Sequence, residues 1–462
     1  MLIASWVLTF SLIIGIGIYA GRKIKNSNQW SGGDHSMGAI TLGCVFAAWQ
    51  IGGMAVVGAA QNGYNLGVSG AWYSIAGSFY FIAIAFMART IREKMPGDSV
   101  PNYLQHRFGM APSRLYSYAW IIYGFLYIPM QLKTVSSIIQ IAVPGLNINL
   151  AMILGLTIAV LYTSFSGMKG ASAVGKVVCI GIYVLLIGFV AVTLPKFGGF
   201  NIMMSKLPEE YSSMGNMPTQ RIIAWIVGGC LSTAVMQSVL QPLLSAKDPK
   251  AARNGAFLGY IFAAPICIFT ALCGIFAKVS GADLGDGSTA FAWTIKQFSS
   301  PIFAGIIFAF ATMIIAATMA TMMLATGTII TNVYKTDINP KADDKKVLKI
   351  SKITTFVFAY LTLIPSILVP STSITNMFLT LQHVAAAPVS FSILVGLNWK
   401  RCTKQGSFWS MLTGMIVGIV WMCLGLTDKL EAVYPVVLVS YSVGIIVSLL
   451  TDKANEEIKK AA

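Results

Sequence analysis

The apolar residues of this chain arrive in unbroken blocks of about 20 or more, the length at which an α-helix crosses the hydrocarbon of a bilayer. Thirteen such spans are expected, at 2–20, 38–62, 68–90, 114–142, 147–166, 171–194, 221–244, 255–278, 300–334, 350–369, 372–398, 406–426 and 433–450. Hydrophobic residues make up 56% of the chain and charged ones 10%. The expected fold is therefore an all-α polytopic membrane protein.

Lysine and arginine orient the spans through the positive-inside rule. Alternate loops carry Arg22, Lys23 and Lys25; Arg92, Lys94 and Arg107; Lys247, Lys250 and Arg253; Lys341, Lys345, Lys346 and Lys349; and Lys400, Arg401 and Lys404. The other loops hold little beyond Lys196, Lys206 and Lys429. This places the amino terminus outside and the carboxyl terminus in the cytoplasm of a cell whose cytoplasmic membrane holds the chain. The net charge of +16 is spread over many short loops, so it speaks for topology and anionic lipid head groups rather than nucleic acid. Residues 1–20 read as a retained helix, because the cations follow the apolar run instead of preceding it. The seven cysteines fall in spans or, as Cys402, in a cytoplasmic loop, and imply no extracellular disulfide framework.

Two spans carry paired glycines near their middles: Gly52 and Gly53 in "FAAWQIGGMAVVG", Gly228 and Gly229 in "WIVGGCLSTAV". Glycines let helices pack closely. They also permit a break in mid-bilayer, tolerable only where the freed backbone lines a cavity. The pairs stand in spans two and seven, five helices apart and in opposite orientation, as an inverted five-helix repeat with a central site requires.

The segments "SVPNYLQHRFG", "LYTSFSGMKG", "LQPLLSAKDPKAARNGAFLG", "GTIITNVYK" and "GLNWKRCTKQGSFWSMLTG", in this order, resemble the sodium/solute symporter family, whose members carry glucose, proline, pantothenate, sialic acid and other small solutes. The resemblance runs from about residue 20 to 445. It implies a LeuT-type 5+5 inverted-repeat core, with repeats at 38–220 and 221–398. An extra helix and cytoplasmic loop precede it at 1–37, and two helices and a short tail follow at 399–462. Transport would proceed by alternating access.

The family's sodium site implies carbonyl ligands from Ala48, Ile51 and Ala317 and two hydroxyls, hard oxygens suited to a small hard cation. Here Ala320 replaces one hydroxyl and Thr321 keeps the other. Gly175 stands near the position of the acid that serves a second sodium, and Met323 and Leu324 stand where further hydroxyls would lie. All 16 acidic residues lie in loops or near span ends, so no second sodium site is expected. Lys176 has two readings. Its ammonium substitutes for sodium, making the carrier sodium-independent or proton-coupled, or its stem snorkels to the cytoplasmic interface. Sodium is the candidate coupling ion; no other cofactor is called for.

Lys133 lies near the middle of the fourth span, beyond Pro129 and Gln131. An ionisable residue at that depth marks function, and with no acid in mid-membrane its natural partner is an anionic solute such as a carboxylate. Bonding to carbonyls freed near Pro129, or facing a water-filled vestibule, is the alternative. Gln50, Ser74, Gln131 and Gln382 complete the expected solute contacts. Trp49, Trp72, Tyr73 and Trp225 are candidate walls. His383 is a candidate proton carrier or a core histidine satisfied by a neighbouring helix.

An enzyme would need a nucleophile with its base or a ligand cluster, and His35, His106 and His383 fall in unrelated places. No ring of charges suggests a channel. A solute sensor on the transporter fold remains a rival, though the tail "TDKANEEIKKAA" is too short for a signalling domain.

Overall fold

The computed structural model describes residues 1–22, 30, 35–95, 97, 99–368 and 374–461; Lys23, Lys25 and the start of the expected span at 372 lie outside them. Among the described residues, helix is the regular structure apart from one isolated bridge, Met37 with Ala246. The helices used below are α1 (Leu2–Gly21), α2 (Ala39–Gln50), α3 (Ala59–Leu66), α4 (Trp72–Gly77), α5 (Tyr80–Lys94), α6 (Met110–Ala142), α7 (Ile148–Thr193), α8 (Thr219–Leu231), α9 (Gln237–Leu244), α10 (Pro249–Ala263), α11 (Ile266–Val279), α12 (Ala290–Phe298), α13 (Pro301–Val333), α14 (Asp344–Leu361), α15 (Ile374–Ser390), α16 (Lys404–Cys423) and α17 (Val433–Ala461), with further short helices, such as Val100–Phe108 and Leu363–Leu368, and helical turns between them.

Among the described residues, eight helical stretches are long and apolar enough to cross a membrane, or nine when the bent pair Thr219–Val235 and Gln237–Leu244 counts as one. The count of thirteen is not reproduced, for local reasons. The second expected span is cut at residue 51, which leaves α2 with 12 residues. The fifth and sixth run together as α7, kinked at Gly167, whose φ of 49° suits a residue without Cβ. The fourth, α6, is 33 residues long but carries Arg114 and Lys133 among many tyrosines and serines.

Without a hydrophobic force between helices in lipid, close packing has to come from small residues. Gly255 and Gly259, one turn apart on α10, receive Leu42 and Phe46 of α2. A Cβ at Gly255 would lie 2.6 Å from Leu42 Cδ2, and one at Gly259 2.9 Å from Phe46 Cβ. Gly63 of α3 meets Ala271 of α11, and Gly274 of α11 meets Ala60. The two halves of the second span are thus clamped by successive helices. α13, apolar on every face, packs against α1, α6 and α7 and is 78% buried over its most apolar stretch. α1 is 11% buried and lies at the periphery. At one end the residues before α2 join those after α9: Met37 N donates to Ser245 O (3.2 Å), Lys247 N donates to Met37 O (3.0 Å), and Arg92 donates to Leu244 O.

The α2–α10 crossing makes a direct prediction. Gly255→Val should lower stability by about 1–3 kcal/mol through overpacking, seen as a drop in the detergent melting temperature. An unchanged melting temperature would show that the crossing is loose.

Candidate functional site

The first break is where the sequence placed it. α2 ends at Gln50, Ile51 has φ −82° and ψ 56°, and helix resumes as a π-turn at Met54–Gly58 before α3. Ile51 N still donates to Ala47 O (2.7 Å), but Gly53 N turns aside and donates to Gln131 Oε1 of α6 (2.9 Å). Gly53 is glycine for a steric reason as well, since a Cβ there would lie 2.7 Å from both Thr134 Oγ1 and Cγ2.

The second break falls after the paired glycines rather than at them. Gly228 and Gly229 are inside the continuous helix α8, and the chain turns at Ser232–Met236, with a 58° bend into α9. Ser232 donates to Gly228 O through both N (2.8 Å) and Oγ. Gln237 N, at the start of α9, donates to Tyr116 Oη of α6 (3.1 Å). Gly228 serves packing, for a Cβ there would collide with His383 Nε2.

Between the breaks lies a cavity lined by Trp49, Gln50, Gly52, Met54, Tyr73, Gly77, Tyr127, Gln131, Trp225, Gly229, Thr233, Gln382 and His383. Trp49 stacks on Tyr127 (centroids 5.7 Å apart) and Tyr73 meets Trp225 edge-on (5.6 Å), which gives two aromatic walls. Polar groups stand between them. Gln50 Oε1 accepts from Tyr80 Oη (3.1 Å), Gln131 Nε2 donates to Tyr127 Oη (3.1 Å), and Gln382 Nε2 donates to Thr233 Oγ1. Trp225 Nε1 and His383 Nδ1, both buried, have no hydrogen-bond partner among the described residues. Among the described residues, no acidic, lysine or arginine side chain lines this cavity.

Two expected solute contacts, Ser74 and Lys133, and one candidate wall, Trp72, sit elsewhere. Ser74 is fully buried and bridges the helix join at Pro265, donating to Ala264 O (2.6 Å) and accepting from Cys267 N (3.3 Å). Trp72 donates its Nε1 to Met214 O (2.9 Å), away from the cavity. Lys133, 7% exposed, lines a second and larger cavity with Arg221, Asp286, Gln61, Ser136 and Gln140. Met54, at the first break, lines both cavities. Tyr127 and Thr233 were not singled out in the sequence. Tyr127 lies one turn before Gln131 on the same helix face, the spacing that would have found it.

The ion positions cluster at the first break. Gly175 packs there, with a Cβ 3.7 Å from Ala48 Cβ. Thr321 donates to Ala317 O (2.9 Å). Thr318, which the sequence reading passed over, reaches Ala48 O (3.1 Å) and Trp49 O (3.3 Å). Lys176 lies within electrostatic reach of Cys44, one turn before Ala48, and makes no hydrogen bond or ion pair among the described residues. All seven cysteines are free.

Broken helices inside a helical membrane bundle, enclosing a cavity of aromatic and amide side chains beside a second, more polar one, are the marks of a membrane transporter of a small solute. The model of the sodium:solute symporter family matches residues 31–414, and the chain belongs to that family. It is 24% identical to the high-affinity proline transporter PutP of Bacillus subtilis over 96% of this chain and 97% of that one. It is 22% identical to the osmoregulated proline transporter OpuE of the same organism, over 98% and 95%. A Na+-coupled sialic acid symporter, solved in a substrate-bound outward-open state, superposes with a TM-score of 0.81 at 15% identity over 97% of both chains. The architecture is thus the all-α, LeuT-type one, and the chain is a transporter rather than an enzyme.

The steric fit at the first break can be tested by a pair of substitutions. Gly53→Ala should lower the melting temperature through its clash with Thr134, and Thr134→Ala should restore most of the loss. Additive effects of the two changes, measured as a double-mutant cycle, would rule out that contact as the reason for the glycine.

Proposed function

We propose that this transporter moves a small anionic organic solute by alternating access, holding its uncharged body in the central cavity and its acidic group toward Lys133. The repeats at 38–220 and 221–398 are the units that move against each other. On the positive-inside reading the amino terminus is outside a cytoplasmic membrane. The cavity beside Lys133 and Asp286 is then the outer vestibule, and the Met37–Ser245–Lys247 pairing closes the inner side.

The observation that carries this reading is that Met54, at the first break, lines both cavities. The central one offers flat aromatic walls and the amides of Gln50, Gln131 and Gln382, suited to a polar neutral body. The adjoining one offers two cations, Lys133 and Arg221, against one carboxylate, Asp286. A solute that spans the break uses both. Gln50 and Gln382 are the proposed polar contacts, with Gln131 fixing the break itself.

The test is a thermal-shift panel of carboxylates, amino acids, sugars and bases in nanodiscs, followed by affinity measurements with Lys133→Gln. A carboxylate should emerge as ligand, and the substitution should weaken it by about 1–3 kcal/mol, the scale of one charge-assisted hydrogen bond. A neutral or cationic ligand whose affinity ignores the substitution would overturn the anionic reading.

A further inference from the structure

The residues at the first break do not fit the five-oxygen cage that the family resemblance implies for sodium. Position 320 carries only a methyl group, and two of the three expected carbonyls, Ala48 O and Ala317 O, already face hydroxyl protons from Thr318 and Thr321. The Thr318 contact differs in kind from the Thr321 contact. Thr321 bonds back to its own helix four residues earlier, as threonines inside helices commonly do. Thr318 has that partner too, Ile314 O at 3.1 Å, yet its hydroxyl also lies 3.1 Å from Ala48 O and 3.3 Å from Trp49 O on a different helix.

Those two carbonyls belong to the last turn of α2. In an unbroken helix they would accept from the amides of Gly52 and Gly53. Gly53 N is bonded to Gln131 instead, so Trp49 O has lost its helical donor. A carbonyl buried without a donor is expensive in a protein interior. Thr318 is fully buried, and the close approach needs Gly52: a Cβ at that position would stand 3.1 Å from Thr318 Oγ1 and 3.2 Å from its Cγ2. Hydroxyl, orphaned carbonyls and bare glycine form one fitted contact between α13 and the break.

We propose that Thr318 is a positioning residue that docks α13 on the first break by sharing its hydroxyl proton with the carbonyls of Ala48 and Trp49, so that no bound sodium ion is needed to hold the two together. The proposal rests on the alternating-access reading, in which these two elements separate and rejoin, and is independent of which solute is carried.

The experiment is hydrogen–deuterium exchange of the segment 48–58 in nanodisc-embedded wild type, Thr318→Ser and Thr318→Val, each in sodium chloride and in choline chloride of equal ionic strength. No solute is added, so failure of the anionic-solute reading leaves the result interpretable. Wild type and Thr318→Ser, which both keep a hydroxyl, should exchange within about twofold of one another and ignore sodium. Thr318→Val keeps the shape but has no proton to share, and its exchange should rise at least fivefold. Sodium that slows exchange severalfold in wild type would overturn the proposal, since a cation would then be holding the break. So would a valine variant that exchanges like wild type. Should the valine variant fail to fold, the sodium arms of wild type and Thr318→Ser still decide.

Discussion

A helix broken inside a bilayer frees amides and carbonyls that no water will satisfy, and the protein must answer each from another helix. The structure is organised around those answers. Gln131 of α6 takes the amide of Gly53 at the first break, and Tyr116 of the same helix takes the amide of Gln237 at the second. Roughly 22 Å of helix separates the two residues at 1.5 Å per residue, so α6 acts as a strut that fixes one break relative to the other. Thr318 answers from α13, and Ser74 does the same at the join between α10 and α11. Removing one such partner leaves a buried polar group unsatisfied, at about 1–3 kcal/mol each.

The same constraint shapes the cavity. Side chains whose hydrogen bonds are spent on the backbone are not available to a solute, which is why Ser74 serves the scaffold. What remains facing the cavity is amide, indole, imidazole and phenol, uncharged and rigidly backed by stacked rings. Charged side chains line the second cavity instead, among them Lys133, Arg221 and Asp286.

The architecture was largely legible in the sequence because apolar block length and glycine placement are local properties of the chain. The first break was found at Gly52 and Gly53 for that reason. The second was misplaced by a turn, because a glycine that admits a neighbour's ring, as Gly228 admits His383, looks the same in sequence as a glycine that unwinds a helix. Lys133 is legible as deep, but which of the two cavities it lines is not, since depth along a helix says nothing about which face a residue occupies. Thr318 was invisible for a related reason: back-bonding within the helix explains most span threonines, and only the tertiary approach of α2 sets this one apart. A signal existed, for Thr318 is three residues before Thr321 and so shares its face.

On the alternating-access reading, one site is exposed to each side of the membrane in turn. Counterflow in proteoliposomes addresses it most directly, with the solute identified from a binding panel and loaded inside before labelled solute is added outside. An alternating-access carrier should show saturable uptake that is accelerated several-fold by the internal load, because the loaded site returns faster than the empty one. Uptake that rises linearly with concentration and ignores the internal load, or binding with no flux at all, would contradict the account.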